Sequence, residues 1–372
     1  VLDADEFATW LQLLEVPGVG RDAARRLLAA FGSPAAVLQA SVAARGRVVS
    51  AAVAQALDRA PEGFAQRLQA ASGWLDGGER RGVLTLGDAD YPALLLQTPD
   101  PPLLLYLQGD VQLLQRRSLA IVGSRNASAQ GIDNARAFAA HLSRQGWAIV
   151  SGLAVGIDAA AHEGGLDGTG GTVAVVGTGL DRVYPARHRA LAHRIASAGL
   201  LISEFAPGTP PLRENFPQRN RIIAGLTRGT LVVEAALQSG SLITARQAAE
   251  YGREVFAVPG SIHSPLSRGC HTLLRQGAKL VESVDDILDE LRTDGAATTQ
   301  PAGTPAAAGT APTLAPADPL LQALGHDPVT LDALGARTGW SARELSARLL
   351  ELELDDQVAR LPGGLYQRRS HG

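Results

Sequence analysis

Apolar positions follow two different periods along this chain, and the change of period divides it. From Phe7 to about Arg80, large apolar residues recur at helical spacing, as in Leu11, Leu14, Leu27, Leu28 and Phe31. Pro17-Gly18-Val19-Gly20 interrupts that stretch, ending one helix and starting the next. From about Gly82 to Leu291 short continuous apolar runs alternate with helix-like segments. The runs are 119–122, 148–150, 173–176, 200–202, 231–233 and 255–258. Between them lie helical segments near 131–144, 157–165, 187–198, 220–225, 242–251 and 273–276. Strands that read as unbroken apolar runs are buried on both faces, so this alternation predicts an α/β fold. Its core is an extended Rossmann-like parallel sheet, and strand-like pieces at 83–86 and 103–107 extend it.

Beyond Thr293 the texture changes again. Residues 293–317 are Ala/Thr/Pro/Gly-rich with almost no large apolar side chain, which reads as a flexible linker. The remainder carries three helix-like segments and a strand–turn–strand around Pro362-Gly363-Gly364, the pattern of a winged helix. The predicted domains are an N-terminal all-α domain over 1–81 (SAM/helix-hairpin-helix-like), the Rossmann-like domain over 82–292, the linker over 293–317, and the winged helix over 318–372. The glycine turn of the first domain could offer backbone N–H groups to a phosphate. With few charges nearby, a plain turn in a small helical bundle accounts for it slightly better.

Charge narrows the partners. With 34 basic against 37 acidic residues the formal net charge is -3, so any nucleic-acid site is a local basic patch on a mildly acidic body. Lys279 is the sole lysine. The positive charge is therefore almost all guanidinium, which suits phosphate forks and base stacking. The single cysteine, Cys270, cannot form an internal disulfide, and the default compartment is a reducing cytoplasm. No apolar stretch approaches the roughly 20 residues of a spanning helix, and the acidic N-terminus does not read as a leader peptide.

Candidate chemistry gathers where an open parallel sheet places its ligands, beyond the carboxyl ends of the strands. There the sequence has Gly123-Ser124-Arg125-Asn126, Ser151-Gly152, Gly177-Thr178-Gly179, Glu234 and Ser239-Gly240-Ser241, followed by a helix through Thr244. Several glycine turns at one edge favour a phosphate-bearing ligand. The loop is neither a G-x-G-x-x-G dinucleotide fingerprint nor a G-x-x-x-x-G-K-[ST] loop, so no cofactor is expected. Arg213 to Arg221 joins three arginines with Phe216, Asn215, Gln218 and Asn220. Such a run suits a single strand whose unpaired bases stack on an aromatic or a guanidinium plane; a solvated turn with Phe216 in the core explains the residues as well. Asp158 and His162 share a helical face but lack a third ligand, and adjacent Cys270 and His271 point apart on a helix. Tyr184, His188 and His193 show no ligand spacing. No catalytic or metal-binding residue is predicted.

Taken together, these motifs resemble the DprA/Smf family of DNA-processing proteins. The resemblance rests on Gly123-Ser124-Arg125; Ser151-Gly152-Leu153-Ala154 through Gly156-Ile157-Asp158 to His162; and Asn215-Phe216-Pro217 through Arg219-Asn220-Arg221-Ile222-Ile223. Ser239-Gly240-Ser241-Leu242 with Thr244-Ala245, and Gly269 through Arg275-Gln276-Gly277-Ala278, complete it in the same order. It implies a cytoplasmic, non-catalytic protein that binds and protects single-stranded DNA and loads RecA recombinase in natural transformation or recombination. It further implies a homodimer, a C-terminal winged helix of DML1-like type, and single-stranded-DNA-binding protein as a further candidate partner. The implied DNA-binding set is Gly123, Ser124, Arg125, Gly152, Arg213, Phe216, Gln218, Arg219, Asn220, Arg221, Gly240, Ser241 and Thr244. Val155 and Gln218 stand where basic residues are common in the family, which removes positive charge from the expected groove. Two other classes stay open. One is a nucleotide hydrolase using Glu234, although Arg228-Gly229-Thr230 is a poor version of the glycine loop such enzymes carry. The other is a duplex-binding regulator working through the helix at 342–352, whose mixed charge suits a groove reader poorly.

Overall fold

The structure is a computed structural model that describes residues 3–293, 318–324 and 328–369. Past Thr293, the expected linker lies outside the described residues. Nine strands form the main sheet: β1 (Arg81–Thr85), β2 (Leu104–Gly109), β3 (Ser118–Val122), β4 (Ala148–Ser151), β5 (Thr172–Val175), β6 (Leu200–Ser203), β7 (Gly229–Val232), β8 (Glu254–Ala257) and β9 (Lys279–Leu280). Their order is β1-β2-β6-β5-β4-β3-β7-β8-β9. From β6 to β9 every pairing is parallel, whereas β1 and β2 join antiparallel. The sheet is therefore mixed and mostly parallel. The β2–β3 connection holds only the short 3-10 turn Val111–Gln115, too little for a helical crossover.

Register sorts the apolar runs between two faces. Leu119 lies opposite Ile149, and Ile121 opposite Leu231. These side chains pack with Phe138, Ile157 and Ile287 from the helices Ala129–Arg144, Ile157–Leu166 and Val284–Thr293. Their alternates Ala120, Val122, Val150 and Val232 face the other way, against Ile222, Ile223, Ala245 and Cys270. That second layer is built by the helices Asn215–Leu226, Ser241–Glu250 and Arg268–Arg275. Both faces are covered, which is why the runs lack polar alternation.

The N-terminal helices, from Ala4–Glu15 to Phe64–Asp76, do not stand apart from the sheet. Buried Tyr106 of β2 packs edge-on against Phe7 at 6.4 Å and Trp74 at 6.0 Å between ring centroids. One apolar cluster runs from these helices through Leu104 to Val176 and Ile195. At the other end of the chain, the helices Pro319–Leu324, Leu331–Thr338 and Ala342–Leu354 enclose a separate core of Leu320, Leu334, Leu345, Leu349 and Val358. Its sheet has three strands rather than the expected two: β10 (Val329–Thr330) pairs with β12 (Leu365–Arg368), which pairs with β11 (Val358–Leu361). A capping box between Ser341 and Glu344 starts the last helix. Among the described residues no helix is long and apolar enough to cross a membrane.

Candidate functional site

After β3 the chain crosses to β4 on one side, while β7 pairs with β3 on the other. The strand order reverses at β3, and the crevice beyond its carboxyl end is where such sheets bind ligands. A cleft of about 820 Å³ opens there. Its walls are the loop after β3, the first turn of the Asn215–Leu226 helix, and the loop leading into the Ser241–Glu250 helix.

Ten of the thirteen sequence-predicted residues line this cleft. Gly123, Ser124 and Arg125 come from the loop after β3, and Gly240, Ser241 and Thr244 from the opposite wall. Gly123 has no room for a side chain, because a Cβ would sit 2.6 Å from Ile157 and 2.8 Å from the Glu234 carbonyl oxygen. The 213–221 run supplies Arg213, Phe216, Arg219 and Asn220. It forms a helix from Asn215 onwards in spite of Pro217. Proline is tolerated in a first turn because the N–H it lacks would have no intrahelical acceptor.

Arg219 is 4% exposed, and its Nη1 donates to the Val175 carbonyl at 2.6 Å. Among the described residues no carboxylate lies within salt-bridge distance of it, and its Nε has no hydrogen-bond partner. Burial lowers its pKa to about 10, with Asp158 opposing and Arg125 assisting, so the guanidinium remains charged at neutral pH. A buried cation without a paired anion is costly. Exposed Arg125 reaches over the Phe216 ring, 6.0 Å from its centroid, and Arg213 is exposed at the rim. Among the described residues Asp158 is the one acid in the wall.

Three of the thirteen lie outside the wall. Gly152 supports it from behind: a Cβ there would fall 1.8 Å from Arg219 Nη1, so only glycine lets the guanidinium lie flat against this turn. Gln218 accepts from Arg21 Nη1 at 3.3 Å, facing the N-terminal helices. Arg221 is bonded to Glu204 and Asp100. The Arg21–Phe31 helix joins the same cluster, Arg21 meeting Asp100 at 2.8 Å and Arg25 bonded to it as well. The helix after the glycine hairpin thus docks on the body of the protein.

Asp158 and His162 hold the 152–154 turn. Asp158 Oδ2 accepts from the N–H groups of Gly152 at 3.1 Å and Ala154 at 3.3 Å. Burial raises its carboxyl pKa, opposed by Arg219 and those N–H donors. His162 Nε2 accepts from the Leu153 N–H at 3.2 Å, which assigns the proton to Nδ1 and directs it to Thr172 Oγ1 at 2.7 Å. Burial depresses the imidazole to about 3, helped by Arg219 and His188. Cys270 is buried, and burial pushes its thiol up to about 12. Glu234 accepts from the Ser128 N–H at 2.9 Å and from the Ser128 hydroxyl, at the start of the Ala129–Arg144 helix. Burial raises its pKa, and Ser128 opposes the shift.

Sequence reasoning missed Tyr184. It lines the cleft, is 49% exposed, and its ring lies 5.5 Å from that of Phe216 at a 42° tilt. Its position in the loop beyond Gly177-Thr178-Gly179, at the carboxyl edge of β5, is the signal that places an aromatic there.

Fold and cleft define a class: Rossmann-like proteins with an arginine-rich cleft at the switch point and an appended winged helix. Residues 82–292 match the family model described as DNA recombination-mediator protein A, and residues 304–364 that of the DprA winged helix domain. The chain is 43% identical over 286 residues to protein Smf of Escherichia coli, covering 75% of each chain. It is 49% identical over 203 residues to DNA processing protein DprA of Streptococcus pneumoniae, covering 55% of this chain and 72% of that one. The crystal structure of that DprA superposes with a TM-score of 0.66 at 36% identity, covering 78% of this chain and 98% of the other. DprA of Helicobacter pylori, described for its single-stranded DNA binding mode, superposes with a TM-score of 0.52 at 30% identity over 58% of this chain and 97% of the other. The chain belongs to the DprA/Smf family of DNA-processing proteins.

Proposed function

We propose that the cleft binds single-stranded DNA without catalysis. Phosphates lie against Arg125, Arg213, Arg219 and the backbone around Gly240-Ser241, and bases turn in onto Phe216 and Tyr184. The observation that carries this reading is Arg219, a buried guanidinium that lines the cleft and, among the described residues, has no carboxylate within salt-bridge distance, Asp158 acting on it from farther off. A bound phosphate supplies the missing anion. Duplex is disfavoured because its paired bases cannot reach the ring pair. Two arrangements weigh against the alternatives. The Glu234 carboxylate is bound by Ser128 and lies outside the cleft lining, a poor position for attack on a bound nucleotide. In the winged helix, Arg348 is bonded to Asp318 and Glu351, which removes a cation from the helix a groove reader would use.

As a further step, resting on the resemblance to recombination mediators alone, we propose that a homodimer of this chain protects the strand and loads RecA recombinase onto it, with single-stranded-DNA-binding protein as a further candidate partner. Site recognition comes first in the test. Anisotropy of labelled oligothymidine and of the matching duplex, at two salt concentrations, compares wild type with Arg125→Ala and Arg219→Ala. The expected result is single-strand preference, weakened by either change, with a log–log salt slope of about -0.7 per neutralised phosphate. Equal duplex binding, insensitive to both changes, overturns the reading.

A further inference from the structure

Of the glycine turns at the sheet edge, Gly177-Thr178-Gly179 supplies no lining residue to the cleft just described, and Gly177 only backs the Phe216 ring. The turn lies beyond β5, two strands from β3 on the same carboxyl edge, and its Thr178 lines a second cleft of about 540 Å³. Tyr184 belongs to both clefts, and the chain passes from Pro211 in the second to Arg213 in the first. The second cleft is also basic. Exposed Arg182, Arg189 and His193 line it against one acid, Asp181. Asp181 meets Arg182 at 3.4 Å, while its Oδ1 accepts the Gly208 N–H at 2.8 Å. The Thr178 hydroxyl donates to the Arg182 carbonyl at 3.3 Å and so fixes the turn that carries this arginine.

We propose that the second cleft is a continuation subsite for the same single strand. DNA leaving the first cleft passes Tyr184, and Arg182 and Arg189 take two further backbone phosphates. The inference rests on the reading of the first cleft. Its chemistry is backbone neutralisation in the main, because the second cleft adds two exposed guanidinium groups and, among the described residues, no ring beyond Tyr184 and the His193 imidazole.

The test uses the full chain and oligothymidines of increasing length, from about 4 to about 16 nucleotides, the range of single-strand footprints. An Arg182→Ala/Arg189→Ala variant is compared with Arg125→Ala and wild type, after matched thermal melts. For the double variant, binding of the shortest oligomer is unchanged. The longest binds roughly tenfold more weakly, as expected for two exposed charge contacts, and its salt slope is shallower by about 1.4. Arg125→Ala weakens every length. If Arg125→Ala weakens binding while the double variant matches wild type at all lengths, the continuation is wrong and the first cleft stands. If the double variant loses equally at every length, the second cleft is part of the primary site and the proposed order is wrong. If Arg125→Ala changes nothing at any length, the reading of the first cleft falls, and the continuation with it.

Discussion

Arg219 and Arg221 sit two residues apart on one helix, both more than nine-tenths buried, yet they belong to opposite electrostatic designs. Around Arg221 the protein supplies its own anions: Glu204 and Asp100, with Arg21 and Arg25 completing a cluster that fastens the N-terminal helices to the sheet. Burial pushes the Asp100 carboxyl up, but Arg221, Arg25 and Arg21 outweigh it, so its pKa lies below the ordinary value. Around Arg219 the protein supplies a carbonyl, a glycine turn and a cleft, and no paired carboxylate. A buried charge is tolerated when it is compensated. Compensation built into the fold makes a joint; compensation left to a ligand makes a binding site.

The sharpest way to break this comparison is Arg221→Ala. Removing one partner of a buried ion pair leaves the others uncompensated, at about 3 kcal/mol when, as here, Asp100 keeps some solvent contact. Urea unfolding should show that loss, while oligothymidine affinity of the folded fraction stays near wild type. Unchanged stability would mean that the cluster is no joint. Arg219→Ala should do the reverse. Asp158 loses a nearby charge but keeps its two N–H donors, so stability changes by about 1 kcal/mol. Single-strand affinity falls by about 1.5 to 3 kcal/mol, the range for a hydrogen bond to a charged group, and the salt slope loses about one phosphate. If both variants lose stability equally and keep affinity, the two arginines are equivalent and the distinction fails.

A smaller effect tests whether the cleft holds bases as well as phosphates. Tyr184→Ala removes one ring of the Tyr184–Phe216 pair from a half-exposed position, where it should leave the fold nearly unaffected. Affinity should fall by about 1 kcal/mol, the lower end for one stacked base, with the salt slope unchanged because no charge is lost. A change of slope instead of affinity would assign Tyr184 to the path of the backbone.

Much of the fold was legible because buried parallel strands write themselves as apolar runs; the six runs from 119 to 258 each fall within a residue or two of a strand. The antiparallel junction of β2 with β6 was not legible, since a run such as Leu104 to Leu107 carries no sign of strand direction. In the cleft, Arg125, Phe216 and Arg219 could be picked out because glycine turns and an arginine-rich run are unusual at strand ends. Their separation from Arg221 and Gln218 could not, because it depends on which way successive helical positions face, and the helix begins five residues earlier than the periodicity suggested. Pro217 hid that start. Tyr184 could be placed at the sheet edge but not beside Phe216: its partner lies far away in sequence, and only the order of the strands brings the two rings together.

The smallest effect concerns the turn behind Arg219. His162 is buried and neutral, with a pKa near 3 in the folded protein against 6.5 for the free side chain. A folded pKa below the unfolded one means that the unfolded chain binds more protons, so this contribution is complete above about pH 6.5 and is lost as pH falls towards 3. Between pH 7 and pH 6 the loss is about 0.7 kcal/mol, set by the unfolded value because the folded one lies far below the window. Urea midpoints at the two pH values should show it in wild type and not in His162→Asn. Asp100, held low by its arginines, stays ionised over this interval and adds no slope. The Arg219 charge adds to the depression of His162, after burial. Identical slopes in the two proteins would remove the buried neutral imidazole from the account of the turn.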